Sequence, residues 1–192
     1  VRTRPAADGS VQVGAASAGP AGRVRTMHES GLIVTAAWLE ERLGDPDIVI
    51  IDYARELEDY ETGHIPGAAY LPQSATLTQV GLTPMMLPHV ESLTLTLQNV
   101  GVDDEKTIVV YDEAGCLLAS RLFWALEYLG HGDVRVLDGG WNRWAEDERP
   151  SSHDPVNAGP GRFTPRVRPE RIATYDWIME HLTDPEFLAV DT

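Results

Sequence analysis

The chain has one cysteine, Cys116, among its 192 residues. A single thiol excludes an internal disulfide framework and a cysteine-rich zinc cluster. Basic residues are also scarce, with 15 Lys and Arg against 30 Asp and Glu, for a net charge of −15. Nucleic acids and anionic membranes require clustered Lys and Arg, so we expect neither as a partner. No apolar run approaches the roughly 20 residues of a membrane-spanning helix, and we expect a cytoplasmic protein without metal or cofactor.

The first 26 residues are rich in Ala, Gly and Ser and show no apolar periodicity. This composition predicts a disordered segment over residues 1–30. The segment contains four Arg and one Asp, a composition also found in organelle transit peptides. A secretory signal is not expected, because the segment lacks an uninterrupted apolar run. Met27 stands just ahead of the first patterned segment, so a start placed too far upstream, or a fragment, is the simpler interpretation.

From Leu32 onward, apolar periodicity predicts helices that alternate with strands. The predicted elements are a helix at TAAWLEERL with Thr35 as its N-cap, a strand IVIID ending at Asp52, a polar helix around Glu56 to Glu61, a strand at AAYL, a helix from about Val90 to Asn99, a strand TIVVY from Thr107, a helix from Leu117, a strand within HGDVRVLDGG and a helix at WNRWAE. Strands separated by helices indicate a parallel sheet covered on both faces.

The turn after TIVVY is the first candidate site. A strand, a tight loop containing Gly115 and a helix follow one another, and Cys116 lies in the loop. This arrangement points backbone N–H groups and a helix N-terminus at whatever occupies the loop, which favours an anion such as a thiolate or phosphate. The sequence therefore predicts an anion cradle, and it raises the question of whether Cys116 is a nucleophile.

Two distant segments resemble each other. TAAWLEERLGDPDIVIID at Thr35 aligns without gaps with TYDWIMEHLTDPEFLAVD at Thr174, and seven of the eighteen positions are identical. We interpret this as a duplication, in which the chain stops one strand into a second copy. The expected organisation is a first domain over 31–149, an interdomain linker rich in Pro and Gly over 150–171, and the start of a truncated second domain over 172–192.

DYARELEDYETGHIPGAAYL, the cradle and VRVLDGGWNRW, in this order and spacing, resemble the rhodanese domain. The duplication, the MLP at Met86 and the PGRFTP connection are similar to tandem-rhodanese sulfurtransferases that use thiosulfate or 3-mercaptopyruvate. The resemblance covers about Leu32 to Thr192. It implies an α/β fold, a three-layer α/β/α sandwich around a mostly parallel five-stranded sheet, followed by a truncated second copy.

In that family the nucleophilic cysteine follows the cradle strand directly, in a pattern of the form Y-C-x-x-G-x-R. Here Asp112 follows Tyr111, and Leu117 stands where the arginine is expected. The resemblance thus assigns no catalytic residue to this chain, and the anion-loop positions are Asp112, Glu113, Ala114, Gly115, Cys116 and Leu117. Cys116 is then a small apolar residue at a helix start, the alternative being a reactive thiol with a lowered pKa.

Asp112 can itself accept the N–H bonds of the cradle and fill the site with an anion of the protein. A loop filled in this way would repel thiosulfate or a thiolate. The competing interpretation makes Asp112 a phosphoryl acceptor, as in phosphatases with a strand-end Asp. Those phosphatases carry a motif of the form D-x-D, whereas in this chain Ala114 occupies the position of the second Asp.

His64, within GHIPGA, has a precedent in the mercaptopyruvate branch of the family for a role in a polar relay at the interdomain active site, but a histidine that fixes the turn is the simpler interpretation. For Asp52 and Arg55 we expect an ion pair rather than catalysis. The remaining histidines show no metal-ligand spacing and are predicted on the surface: His28, His89, His131, His153 and His181. The tryptophans are expected in core and interdomain packing: Trp38, Trp124, Trp141, Trp144 and Trp177.

The resemblance implies that this chain is the non-catalytic first domain of a sulfurtransferase that forms a cysteine persulfide and passes its sulfur to cyanide or a thiol. Its expected partners are a second rhodanese domain, absent from this chain, and small sulfur-donor anions. The alternative is a stand-alone, catalytically inactive rhodanese-like binding module. A cysteine-loop phosphatase of related fold fails on the same missing cysteine.

Overall fold

A computed structural model of the chain describes residues 31–54 and 56–189. The predicted disordered segment at 1–30, Arg55 of the predicted ion pair and His28 lie outside the described residues. The strands are β1 (Ile33–Val34), β2 (Ile48–Asp52), β3 (Ala68–Tyr70), β4 (Thr78–Val80), β5 (Thr83–Met86), β6 (Thr107–Tyr111) and β7 (Val134–Leu137). The α-helices are α1 (Ala36–Glu40), α2 (Leu57–Thr62), α3 (Val90–Asn99), α4 (Leu117–Tyr128), α5 (Gly140–Glu146) and α6 (Tyr175–His181).

Five strands form one parallel sheet in the order β1-β7-β6-β2-β3. The β-branched runs IVIID and TIVVY became the neighbouring central strands β2 and β6, whose Asp52 and Tyr111 lie opposite each other at the carboxyl edge. Parallel strands are joined by crossover connections long enough to hold a helix, so the loops that follow the strands collect at this carboxyl edge. The predicted five-stranded α/β fold is confirmed.

The two faces of the sheet are covered by different helices. On one face, α3 and α4 bury Leu97 and Leu122 against Ile51 and Val110. On the other face, α1 and α5 pack against Ile50 and Val109, and Trp144 of α5 is fully buried there. Alternate residues of each central strand therefore enter opposite cores, which is the three-layer arrangement that the continuous apolar strands predict.

Two pieces of β-structure were not predicted. Strand β1 has two residues, too few for a periodicity to show, and it pairs with β7 at the edge of the sheet. Strands β4 and β5 form a separate antiparallel hairpin between β3 and α3, where the sequence predicts neither a helix nor a strand. Conversely, Phe187–Ala189 of the predicted FLAVD strand form no strand, and Val190–Thr192 lie outside the described residues. Phe187 instead packs edge-on against Trp177, with ring centroids 5.4 Å apart.

His131 is buried, and the prediction of a surface histidine is wrong. Its Nε2 lies 3.0 Å from the carbonyl oxygen of Asp103, and its Nδ1 accepts the N–H of Asp133. The ring also faces Phe163 at a centroid distance of 5.6 Å. A histidine that bridges three chain segments is buried by those contacts, which sequence spacing does not reveal. His89 and His153 are exposed and His181 is half-buried.

Residues 152–171, hereafter the strap, run along the outside of the domain from the end of α5 toward α6. The strap contains one short 3-10 turn, Pro169–Arg171, and places Phe163 in the core. Among the described residues, no helix has the length and apolar character needed to cross a bilayer.

Candidate functional site

The predicted anion loop lies at the carboxyl edge of the central strands, between β6 and α4. Gly115 and Cys116 both have positive φ angles, 68° and 73°, and Cys116 is the residue before the first helical turn. Consecutive residues of this kind turn the backbone N–H groups toward the inside of the loop, where α4 also directs its first N–H groups. The local geometry is that of an anion site.

Asp112 occupies this site with its own carboxylate, and the side chain is fully buried. Oδ1 accepts the N–H of Ala114 at 2.9 Å and of Cys116 at 2.8 Å. Oδ2 accepts the N–H of Leu118 at 2.6 Å and of Ala119 at 2.7 Å. These are the hydrogen bonds that the sequence predicts for Asp112. Four donors that another anion would need are therefore already used by a carboxylate belonging to the chain.

Gly140 fixes the backbone of Asp112. The N–H of Trp141 donates to the carbonyl oxygen of Asp112 at 2.8 Å, and Gly140 has a φ of 54°. A Cβ atom on Gly140 would lie 2.3 Å from that same oxygen. Glycine is therefore required both for the backbone conformation and for the close approach. The sequence analysis assigned Gly140 no such role, although the paired glycines before a helix were the signal.

Cys116 points away from the hydrogen bonds that converge on Asp112. Its thiol donates to the carbonyl oxygen of Leu137 at 3.4 Å. Burial, and secondly the negative charge of Asp112, raise the pKa of the thiol. The thiol contributes to an apolar cavity of about 270 Å³, whose other lining residues are Leu32, Ile33, Ser120, Phe123, Val136 and Asp138. A raised pKa lowers the thiolate fraction, so the surroundings favour a packing role over nucleophilic attack.

Asp52 is a second buried carboxyl group, at the end of the neighbouring strand. The hydroxyl of Tyr111 donates to its Oδ2 at 2.6 Å and in turn accepts the N–H of Ile65. Burial raises the pKa of Asp52 to about 7, with further contributions from the negative charges of Glu113 and Asp112. The pKa of Tyr111 is raised well above its ordinary value by burial and by Asp52.

His64 lies inside the domain and not at its surface. Its Nδ1 lies 2.9 Å from the carbonyl oxygen of Tyr60, and its Nε2 lies 3.1 Å from the carbonyl oxygen of Asp154 in the strap. The ring stacks on Tyr60 with centroids 3.7 Å apart. These contacts hold the GHIPGA turn against the strap. A contribution of His64 to an interdomain active site stays a prediction.

The remaining loop positions supply no cation. Ala114 packs against the core, Leu117 is 65% exposed, and Asn142 donates its side-chain N–H to the carbonyl oxygen of Glu113. No Lys or Arg occurs between Asp112 and Leu117. Within the described part of the chain, no group of three His, Cys, Asp or Glu side chains is arranged to hold a metal ion.

Residues 35–147 match the family model for the rhodanese-like domain. Sulfur carrier protein TtuD of Thermus thermophilus is 30% identical over 154 residues, which cover 79% of this chain and 53% of that protein. The 3-mercaptopyruvate sulfurtransferase of Escherichia coli K12 is 32% identical over 148 residues, which cover 72% of this chain and 53% of that protein.

The fold has solved relatives as well. The crystal structure of SseA from Escherichia coli, a 3-mercaptopyruvate sulfotransferase by its description, matches with a TM-score of 0.74 and 29% identity, over 81% of this chain and 63% of that chain. The chain spans about half the length of the curated relatives it matches. The family model covers more than half of the chain, including the Asp112 loop and Gly140. The chain belongs to the rhodanese-like domain family.

Proposed function

We propose that this chain is the non-catalytic rhodanese domain of a tandem sulfurtransferase, in which a second rhodanese domain supplies the reactive cysteine. The carboxylate of Asp112 in the anion loop is the observation that carries the proposal. Thiosulfate and 3-mercaptopyruvate are anions, and a donor entering this loop would have to displace a carboxylate that is covalently tethered and bonded by four N–H groups. The loop therefore excludes the donor from this domain.

Cys116 does not replace the missing nucleophile in this proposal. Its thiol donates to a backbone carbonyl and its pKa is raised, whereas sulfur transfer needs a thiolate. The negative charge of Asp112 also opposes a second anion beside it. The chemistry proposed for the intact protein is attack of the second domain's thiolate on the donor sulfur, which releases sulfite or pyruvate and leaves a cysteine persulfide. Cyanide or a thiol then accepts the outer sulfur.

The proposed duplication has local support in the two related helices. Thr35 accepts the N–H of Trp38 at 3.2 Å, and Thr174 accepts the N–H of Trp177 at the same distance. The backbone angles of the two caps agree within 1°. The helices differ in burial, because Leu39 of α1 is fully buried while the apolar side chains around α6 are exposed: Tyr175, Trp177, Met179, Leu182 and Leu188. We propose that a second sheet covers them.

A stand-alone binding module is the second candidate, and the hairpin β4–β5 is the feature that favours it. Its Val80, Leu82, Met85 and Met86 are all exposed, and an apolar surface of this kind suits a protein contact. This candidate predicts that the chain binds a partner without any role in sulfur transfer. Cytoplasmic location stays a prediction under either proposal.

A cyanolysis assay tests the proposal. The purified chain, given thiosulfate or 3-mercaptopyruvate with cyanide, should form no thiocyanate above the protein-free blank, while the Escherichia coli 3-mercaptopyruvate sulfurtransferase serves as the positive control with the second donor. Turnover that disappears in Cys116→Ser would overturn the assigned roles. To separate the two candidates, a cysteine-bearing rhodanese domain of a tandem relative is added: restored or increased turnover supports the tandem role, and no change favours the binding module.

A further inference from the structure

The strap meets the domain along its whole length. At its start, Ser152 and His64 exchange backbone hydrogen bonds in both directions, at 3.0 and 2.9 Å. Four residues later, the N–H of Val156 donates to the hydroxyl of Tyr60 at 3.1 Å. The beginning of the strap is thus bonded to α2 and to the GHIPGA turn, and it does not leave the surface.

The middle of the strap is inserted between α3 and the segment that leads into β6. Phe163 is 2% exposed and belongs to the core beneath α3 and α4. The N–H of Gly161 donates to the carbonyl oxygen of Gln98 at 2.8 Å, and the side chain of Gln98 donates to the carbonyl oxygen of Phe163. The N–H of Arg162 donates to Oδ2 of Asp103 at 3.0 Å. A buried aromatic residue flanked by such bonds resists displacement.

The end of the strap caps the C-terminus of α4. The N–H groups of Arg166 and Arg168 each donate at 2.7 Å, to the carbonyl oxygens of Leu129 and Tyr128 respectively. These carbonyls belong to the set that a helix end leaves without an intrahelical partner. The other end of the same helix holds Asp112, about 18 Å away at the usual rise per residue. One rigid helix therefore connects the anion loop to the strap.

The last anchor of the strap is at Arg171. Nε1 of Trp124 donates to its carbonyl oxygen at 2.9 Å, and its guanidinium lies 3.4 Å from the carboxylate of Glu127. Beyond this point, no hydrogen bond or ion pair connects residues 174–189 to residues 31–54 or 56–168 in the described chain. Ile172 and Ala173 thus lie between a segment held by hydrogen bonds and a helix that has no such bonds to the domain, although Trp177 of that helix faces a cavity shared with Pro169 and Glu170.

Two glycines show how closely the strap fits. A Cβ on Gly161 would lie 2.0 Å from the carbonyl oxygen of Val102, and a Cβ on Gly130 would lie 2.2 Å from that of Arg166. Contacts this short between backbone segments cannot be relieved by a side-chain rotation. They indicate a groove in which the strap has one position.

We propose that the strap is a fixed extension of the domain, and that movement between the domain and α6 is confined to Ile172–Ala173. The segment expected from sequence as an interdomain connection is then a rigid spacer up to Arg171, followed by a hinge of two residues. The consequence of this spacer and hinge for a second rhodanese domain rests on the proposed function. In a tandem protein the spacer would fix the distance between the two domains, and one domain would rotate relative to the other only about Ile172–Ala173. The strap itself can be tested in the chain alone.

Hydrogen–deuterium exchange of the full chain is the test. Amides that donate across the strap, including those of Gly161, Arg166 and Arg168, should exchange at least about tenfold more slowly than the amides of residues 174–189. If the strap amides exchange as fast as those of α6, the strap is a flexible tether and the proposal fails. This result would leave the proposed function standing, because the filled anion loop does not depend on the strap.

Gly161→Ala and Gly132→Ala form a matched pair. Neither glycine has a positive φ, and a Cβ on Gly132 would meet nothing within 4 Å. Gly161→Ala should speed exchange in residues 156–168 about tenfold or more, with β6 unchanged, whereas Gly132→Ala should match the wild type. Equal exchange in both variants would contradict the fit. Should Gly161→Ala fail to fold, Trp124→Phe removes the bond to Arg171 while keeping a smaller aromatic ring beside Tyr128 and Arg121, and it should speed exchange mainly around residues 169–171.

Discussion

Replacing Asp112 by Asn should destabilise the chain strongly, although the two side chains have the same shape. An amide oxygen can accept two of the four N–H bonds, and the amide NH₂ then faces the other two donors. Hydrogen bonds to a charged group contribute about 1.5–3 kcal/mol each, so losing two costs about 3–6 kcal/mol. The close contact at Gly140 prevents the loop from collapsing around the change.

Urea denaturation followed by tryptophan fluorescence measures this cost. With an m-value of about 2–3 kcal/mol per molar, Asp112→Asn should lower the midpoint by roughly 1–3 M. Asp138→Asn is the matched control, because Asp138 follows the neighbouring strand β7 in the same way but is exposed. A midpoint for Asp112→Asn within error of this control would show that the loop is not organised around the Asp112 carboxylate.

Two further changes test the surroundings of the loop. Because the pKa of Asp52 is raised from 3.8 to about 7, the native state keeps a proton that the unfolded state loses, so stability should fall as pH rises from about 4 to 7 and level off above. Asp52→Asn keeps a hydrogen-bond acceptor for Tyr111 and should remove this decline. Its free energy of unfolding in urea titrations at pH 8 should be higher than that of the wild type by up to about 4 kcal/mol. A pH profile of stability unchanged from the wild type would contradict the raised pKa of Asp52. Gly140→Ala should lower the free energy of unfolding by about 2–4 kcal/mol, because position 140 has a positive φ and a Cβ there would contact the carbonyl oxygen of Asp112. Gly132→Ala is the control, and equal urea midpoints for the two variants would contradict the role of Gly140.

The regular part of the fold could be predicted from the sequence because its signals are local. Strands β2 and β6 are β-branched runs, and Thr35 caps α1 by a bond within four residues. The hydrogen bonds to Asp112 were also predictable, since a strand–loop–helix turn directs its N–H groups at one point whatever the rest of the chain does. Local sequence signals therefore predicted both the two central strands of the sheet and the candidate site.

What the sequence did not show depends on contacts between distant segments. The burial of His131 and the path of the strap are set by bonds to residues 28 or more positions away. The need for glycine at position 140 arises from a carbonyl 28 residues earlier. The pKa of Asp52 depends on burial by the whole sheet edge. Periodicity and spacing carry no information about such approaches.

A thiol placed at position 112 tests whether the loop binds an anion in place of the Asp112 carboxylate. In Asp112→Cys with Cys116→Ser, the loop N–H groups and the N-terminus of α4 should lower the thiol pKa below the roughly 8.5 of a free cysteine. Iodoacetamide should therefore alkylate the new thiol faster than it alkylates Cys116 of the wild type, and thiosulfate should add one sulfur by mass. Turnover should stay low, because Leu117 and Glu113 offer the donor no positive charge. If the variant is folded but neither alkylates faster nor gains sulfur, the loop is not an anion cradle and the role proposed for Asp112 is wrong.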